Sequence, residues 1–188
     1  MPQVIALLLA AGCGSRFGSD KRRATLPDGR SLLAASLANA RRAFSEVHVL
    51  LRPEDDPAAL GLPADCPLIR CADAELGLGH SLAAGVRALA GRRSRALAIL
   101  LGDMPWVAES SLLRLAQAAD AERIVFPLYR GERGHPVLFG RRYWPALLRL
   151  TGDQGARAVM LAHEEAWLGI EVDDPGVLRD VDTPADLA

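Results

Sequence analysis

The sequence predicts an α/β fold, a mainly parallel sheet with helices on both faces and one antiparallel hairpin insertion. Three observations carry this expectation. Apolar runs alternate with segments of helical periodicity along the chain, the pattern of a covered parallel sheet. The first run, Val4–Leu9, is continuously apolar, as a strand buried on both faces must be. Between residues 123 and 139 the rhythm breaks. Two strand-like runs there are separated only by Arg130-Gly131-Glu132-Arg133-Gly134, which reads as the glycine-bearing turn of a hairpin.

Each element has a local reason. After the first strand and a glycine-bearing loop, Ser31 is placed to cap a helix that turns Leu33, Leu37 and Ala40 inward and ends near Ala43. Val47–Leu51 is the second strand. The polar, proline-bearing residues 52–67 suggest a short helix and a surface loop, and residues 68–71 a short third strand. A loop over 73–79 leads to a helix that begins near His80-Ser81 and runs through Val86 to Leu89. Ala96–Leu101 is the strongest strand after the first. A helix over 110–119 follows, then the hairpin runs 123–129 and 136–139. Helical patterns over 143–150 and 154–163 and a strand over 167–172 complete the body. No repeat, low-complexity tract or linker divides the chain, so residues 1–188 read as a single domain.

Composition narrows the function classes. Half the residues are apolar and 24% are charged, which supplies enough apolar material for a substantial core. A formal net charge of -1 argues against protein-wide attraction to nucleic acid or an anionic membrane. An anionic substrate must then be held by a few local cations and a metal. No apolar run approaches the ~18 residues of a membrane span, and Met1-Pro2-Gln3-Val4 shows no secretory signal, so a cytoplasmic protein is expected. Cys13, Cys66 and Cys71 lack CxxC spacing and read as reduced thiols; a zinc site from Cys66, Cys71 and a distant His has only loose spacing behind it.

The most informative stretch is Leu9-Ala10-Ala11-Gly12-Cys13-Gly14-Ser15-Arg16-Phe17-Gly18-Ser19-Asp20-Lys21. Its glycines let backbone N–H groups approach a ligand closely, and successive N–H groups in such a turn form an anion-favouring concavity. Arg16 adds a fork of donors and Lys21 a mobile point charge, a pair suited to a polyphosphate. The spacing Gly12-x-Gly14-x-x-x-Gly18 misses the dinucleotide fingerprint by one residue, and no Gly-Lys-Ser/Thr follows to make a P-loop. A dinucleotide loop also runs straight into a helix, whereas Pro27-Asp28-Gly29 interrupts this chain, and Leu50-Leu51-Arg52 stands where a nicotinamide enzyme carries its ribose-binding acid. A triphosphate fits this loop better. The bland alternative is a glycine-rich turn with exposed basic residues.

Four further segments qualify. Gly102-Asp103-Met104-Pro105 directly follows a strand, and the carboxyl ends of strands in an open α/β sheet form the ligand crevice. Asp103 therefore shares an edge with the glycine loop, where a carboxylate beside a polyphosphate suits magnesium; alone, it could equally cap the next turn. In Asp180-Val181-Asp182-Thr183-Pro184, Asp180 and Asp182 fall on one face and either can complete that metal site, or Asp182 or Thr183 can cap a last helix starting at Pro184. In Gly134-His135-Pro136-Val137 the histidine reads as pinned and exposed, either binding an anionic acceptor or merely opening a strand. In Gly152-Asp153-Gln154-Gly155-Ala156-Arg157, Asp153 reads as an N-cap. Gly77-Leu78-Gly79-His80-Ser81 can bring helix N-terminal amides and the Ser81 hydroxyl to a base or ribose. His48 and His163 read as ordinary strand and helix residues.

Leu-Ala-Ala-Gly-x-x-x-Arg-Phe-Gly-x-x-Lys resembles the signature of the MobA/MocA-like nucleotidyltransferases, and the segments at 101–105, 134–136, 152–157 and 180–184 resemble that family's later motifs in order. Ala10-Ala11-Gly12 is similar to the molybdenum cofactor cytidylyltransferase branch. The resemblance implies a Rossmann-like three-layer nucleotidyltransferase fold and transfer of CMP from CTP to the terminal phosphate of molybdopterin, with magnesium or manganese as cofactor. It implies nucleotide binding by Leu9, Ala10, Ala11, Gly12, Gly14, Ser15, Arg16 and Lys21, with Gly79 and Ser81. Arg16, Lys21 and Asp103 take the catalytic roles, Asp103 and Asp182 the metal, and His135 and Gln154 the acceptor. CTP and molybdopterin are then the partners, with handover of the product to a molybdoenzyme or its chaperone and no nucleic acid or membrane. The chain departs from the pattern at Cys13-Gly14 and at Arg22-Arg23-Ala24, where leucines are commoner. Two other readings stand beside this one: the same fold using GTP or another NTP or another phosphorylated acceptor, and a non-catalytic nucleotide- or cofactor-binding chaperone domain.

Overall fold

The computed structural model describes residues 4–12 and 17–187. Its centre is β1 (Val4–Leu9), whose six residues are all buried. Such a strand needs a neighbour on each side and a helix layer on each face. β1 pairs in parallel with β2 (Val47–Leu51) and with β4 (Ala96–Leu101), both nearly as apolar. β3 (Leu68–Arg70) extends the parallel set beyond β2.

The two-residue period of β1 sorts the core into two layers. Val4, Ala6 and Leu8 face α1 (Leu32–Ala43) and α3 (Glu109–Ala118) through Leu33, Leu37, Leu112 and Leu115. Ile5, Leu7 and Leu9 face α2 (Leu78–Leu89) through Leu82, Val86 and Leu89, and on the same side Trp144, Leu147 and Val159 from the short helices α4 (Trp144–Leu147) and α5 (Arg157–Leu161). The result is a helix–sheet–helix sandwich of the Rossmann-like kind. Ser31 caps α1 as expected, its hydroxyl accepting from the Ala34 N–H at 3.1 Å.

The antiparallel insertion is richer than a single hairpin. β5 (Ile124–Tyr129) turns through Arg130-Gly131, both at positive φ, into the two-residue β6 (Glu132–Arg133). β7 (Val137–Gly140) then runs antiparallel to β5 and to β4, so that it lies between them. Beyond β5, β8 (Trp167–Glu171) adds a parallel edge. Three expectations are corrected. Residues 52–67 form turns and no helix, α2 begins at Leu78, and the helices expected over 143–150 and 154–163 shrink to four and five residues flanked by turns. Among the described residues no helix is long and apolar enough to cross a membrane.

Candidate active site

The carboxyl ends of β1 and β4 lie side by side, because the two strands are paired in register from Val4↔Ala96 to Leu9↔Leu101. The turn after β4 closes tightly: Gly102 donates its N–H to the Leu9 carbonyl at 3.0 Å, and a Cβ there would come within 2.9 Å of that same oxygen. Asp103 is thereby held over the sheet edge. From the other side the chain after the first loop forms a 3-10 turn over Lys21–Arg23, and Lys21 reaches across. Its ammonium donates to Asp103 Oδ2 at 2.7 Å, to the Val181 carbonyl at 3.0 Å and to Asp182 Oδ1 at 3.4 Å. Burial opposes the charge on Lys21, but the Asp103 and Asp182 carboxylates outweigh it and raise the ammonium above the usual lysine range.

Carboxylate oxygens of Asp103, Asp180 and Asp182 lie within 4.8 Å of one another. Asp103 Oδ1 is buried and has no hydrogen-bond partner among the described residues, a costly arrangement unless something else satisfies it. Hard oxygen donors with an orphaned carboxylate oxygen among them fit a magnesium or manganese ion. The backbone that carries Asp182 is fixed by Val181, whose N–H donates to the Asp103 carbonyl at 3.0 Å. At the start of the final turn the Asp186 carboxylate accepts from the Asp182 and Thr183 N–H groups and from the Thr183 hydroxyl.

Two cavities share Leu9, Leu78 and Leu101 as a common wall, and Asp103 of this cluster lines the first of them. The first, of about 400 Å³, is lined by Leu9, Ala10, Ala11, Gly12, Lys21, Ser81 and Asp103, together with Gly77 and Asp153. The second, of about 490 Å³, is lined by His135, Arg133, Gln154 and Arg157 among the apolar walls of Val137, Phe139 and Met160. Both volumes suit small ligands.

The sequence-predicted residues divide accordingly. Leu9, Ala10, Ala11, Gly12, Lys21, Ser81 and Asp103 converge on the first cavity, Asp182 joins Asp103, and His135 and Gln154 line the second. Gly14, Ser15 and Arg16 lie outside the described residues, as does Cys13. Gly79 turns away from the first cavity: its N–H is spent on the Gly152 carbonyl at 2.7 Å, and a Cβ would meet the Thr151 carbonyl at 2.6 Å. It packs the start of α2 against the 151–153 loop, a contact reinforced by the Gly152 N–H donating to His80 Nδ1 at 3.1 Å. Asp153 is not an N-cap, since α5 begins after Ala156 without one; it lines the first cavity instead. His135 is half-buried, not exposed, because its N–H is drawn to the Val177 carbonyl at 2.8 Å. Burial lowers its basicity against the opposing pull of Asp103 and Asp180, so the imidazole is neutral at pH 7.

Sequence reading passed over Arg133, Arg157 and Arg22. Arg133 stacks over the Trp167 ring at 4.4 Å, and that pairing arises only when β8 joins β5. Arg22 stands out in the sequence solely as a departure from the family pattern, yet it is 5% exposed and lines the first cavity.

A model described as the MobA-like NTP transferase domain matches residues 6–166. The purine catabolism protein PucB of Bacillus subtilis is 31% identical over 194 residues, spanning 97% of this chain and 93% of its own. The crystal structure of Rv0371c from Mycobacterium tuberculosis superposes with a TM-score of 0.85 at 29% identity, covering 98% of this chain and 94% of that one; a further structure of Rv0371c is a complex with manganese. The molybdopterin-guanine dinucleotide biosynthesis protein A of Archaeoglobus fulgidus shares the fold, with a TM-score of 0.66 at 17% identity and coverage of 97% and 94%.

Proposed function

Because the chain belongs to the MobA-like NTP transferase domain family, we propose that it transfers CMP from CTP to the terminal phosphate of molybdopterin, releasing pyrophosphate. The observation that carries this reading is the convergence of Lys21 from one loop with Asp103 and Asp182 from two others, beside the first cavity, which Lys21 and Asp103 line.

The chemistry follows from the reagents. A phosphate monoester is mostly a dianion at neutral pH, its second pKa being about 6, so the attacking oxygen needs no general base and no proton changes hands. That oxygen forms a bond to the α-phosphorus in line as the bond to the pyrophosphate oxygen breaks, and the electron pair leaves with pyrophosphate. The difficulty is electrostatic: two anions must approach, and charge grows on the leaving group. Lys21 and Arg16 supply positive charge to the triphosphate from the first loop. Ala10, Ala11 and Gly12 present backbone along the first cavity, where glycine at position 12 leaves the approach clear, and Ser81 offers a hydroxyl to the ribose or base. His135 and Gln154, with Arg133 and Arg157, receive the acceptor in the second cavity; a neutral His135 offers it one N–H. Asp103, Asp180 and Asp182 would hold a divalent ion, magnesium or manganese, which as a Lewis acid would neutralise charge on the reacting phosphates.

CTP as donor rests on Ala10-Ala11-Gly12, which resembles the cytidylyl branch. The test is pyrophosphate release from each of the four NTPs with magnesium, with and without molybdopterin. Release with CTP alone, and only in the presence of the pterin, is expected. Release with another NTP or acceptor keeps the reaction and moves the substrate; tight NTP binding with no release under any condition refutes catalysis and leaves a binding domain.

A further inference from the structure

Arg22 lines the first cavity with 5% of its surface exposed, a degree of burial at which an unpaired guanidinium is very costly. Its fork carries five N–H donors, and every one is engaged. Nε and Nη2 donate to the two oxygens of Asp20 at 2.8 and 2.7 Å. Nη1 and Nη2 donate to the two oxygens of Asp55 at 2.6 and 2.8 Å. The remaining Nη1 hydrogen goes to the Ala10 carbonyl at 2.7 Å. No donor remains for a phosphate, so the charge that lines the cavity is already neutralised. Asp55 is itself fastened, accepting the Arg52 N–H at 2.9 Å.

What this fork joins is informative. Ala10 continues the end of β1, Asp55 follows β2, and Asp20 and Arg22 stand on either side of Lys21 in the sequence. A lysine side chain has four rotatable carbons and is dear to hold in one place. Here the backbone on both of its sides is tied to the sheet, and the ammonium lands among Asp103, Asp182 and the Val181 carbonyl. We propose that Arg22 is a positioning residue, bracing the 20–22 turn against the ends of β1 and β2 so that Lys21 is delivered to the triphosphate in a fixed place. The functional half of this inference rests on the role proposed above for Lys21. Arg22 itself touches no substrate.

Lys21 is the only lysine in the sequence, so its ammonium can be followed alone. In protein labelled with ¹⁵N-lysine, the wild type should give one Nζ correlation with slowed hydrogen exchange, and Lys21→Met should remove it. The variant Arg22→Leu/Asp55→Leu exchanges a buried ion pair for apolar side chains, a change that folded proteins tolerate. It should keep its thermal transition while the correlation broadens beyond detection, and kcat should fall about 100-fold, the scale of a misplacement near 1 Å, with the KM for the acceptor unchanged. Arg22→Lys keeps the charge but has only three donors and cannot bridge both carboxylates; it should show the same loss of signal, and it tests the idea even if the double variant does not fold. A wild-type lysine correlation and kcat in either folded variant overturns the proposal. A lysine correlation lost in the variants, from a wild type that transfers no nucleotide, would leave the positioning intact and overturn only the assigned reaction.

Discussion

Replacing Asp103 with asparagine separates the site's chemistry from its architecture. The amide has nearly the same shape, but the 2.7 Å charged partner of Lys21 disappears, leaving Asp182 at 3.4 Å as its remaining carboxylate. The acidic cluster falls from three carboxylates to two. Loss of one preorganised group that stabilises transition-state charge costs about 10²–10³-fold in kcat, or ~2.7–4 kcal/mol, and Asp103→Asn should fall at or beyond the upper end because the carboxylate that pairs with Lys21 is also the one proposed to hold the divalent ion. Stability should fall only moderately. The side chains of Lys21 and Asp103 are 18% and 21% exposed, so this is no surface ion pair, but the Val181 carbonyl and Asp182 still accept from the ammonium; the loss should be about 1.5–3 kcal/mol, the scale of a hydrogen bond to a charged group, and the fold should remain cooperative. The assay is steady-state pyrophosphate release at saturating CTP, acceptor and magnesium, with thermal unfolding on the same preparation. Full turnover by Asp103→Asn refutes the reasoning, and so does a loss of turnover that merely tracks a collapse of the midpoint.

Three further expectations follow. Gly79→Ala puts a methyl 2.6 Å from the Thr151 carbonyl, so the 151–153 loop between the two cavities must shift; KM for both substrates should rise together, whereas an unchanged KM would mean that the loop does not shape either pocket. Arg133→Gln, which removes the cation held over Trp167 at the second cavity, should raise the acceptor KM about tenfold, the ~1.4 kcal/mol within the range of a lost charged hydrogen bond, with the KM for CTP unaltered as the internal control. Burial works against the Asp55 charge, but Arg22 outweighs it and holds that carboxyl below its ordinary 3.8; its contribution is therefore complete above about pH 3.8 and lost as pH falls through the lower folded value. Asp55→Asn should then be less stable at neutral pH and flatter than wild type in a stability profile below pH 4.

Much of this architecture could be read from the chain because it is written locally. Val4–Leu9 and Ala96–Leu101 are apolar without alternation, and burial on both faces leaves little else for them to be. Ser31 stands where a helix needs a cap, and it caps. Lys21 and Asp103 were legible together because each follows a strand at one edge of a parallel sheet, the edge where such folds place ligands, whereas Asp182 was legible only from its alternation with Asp180. Hidden features depend on partners distant in sequence. β7 lies between β4 and β5, and no local pattern says which edge a short apolar run will choose. The Arg22–Asp55 pair spans 33 positions, so nothing near Arg22 in the sequence announces its partner. His135 read as exposed because nothing nearby in sequence announces the Val177 carbonyl that draws it in. The helices near residues 143–163 were overestimated since their periodicity persists through turns that do not continue the helix.

In the proposed reaction a phosphate oxygen of an acceptor displaces pyrophosphate from an NTP beside Lys21 and Asp103. Phosphorus-31 NMR of the purified protein with CTP, molybdopterin and magnesium observes that bond directly. The account predicts that the CTP resonances give way to inorganic pyrophosphate and to a new pair of coupled signals from a P–O–P bridge between CMP and the acceptor. CDP with inorganic phosphate, or unaltered CTP beside a saturating acceptor, would contradict it.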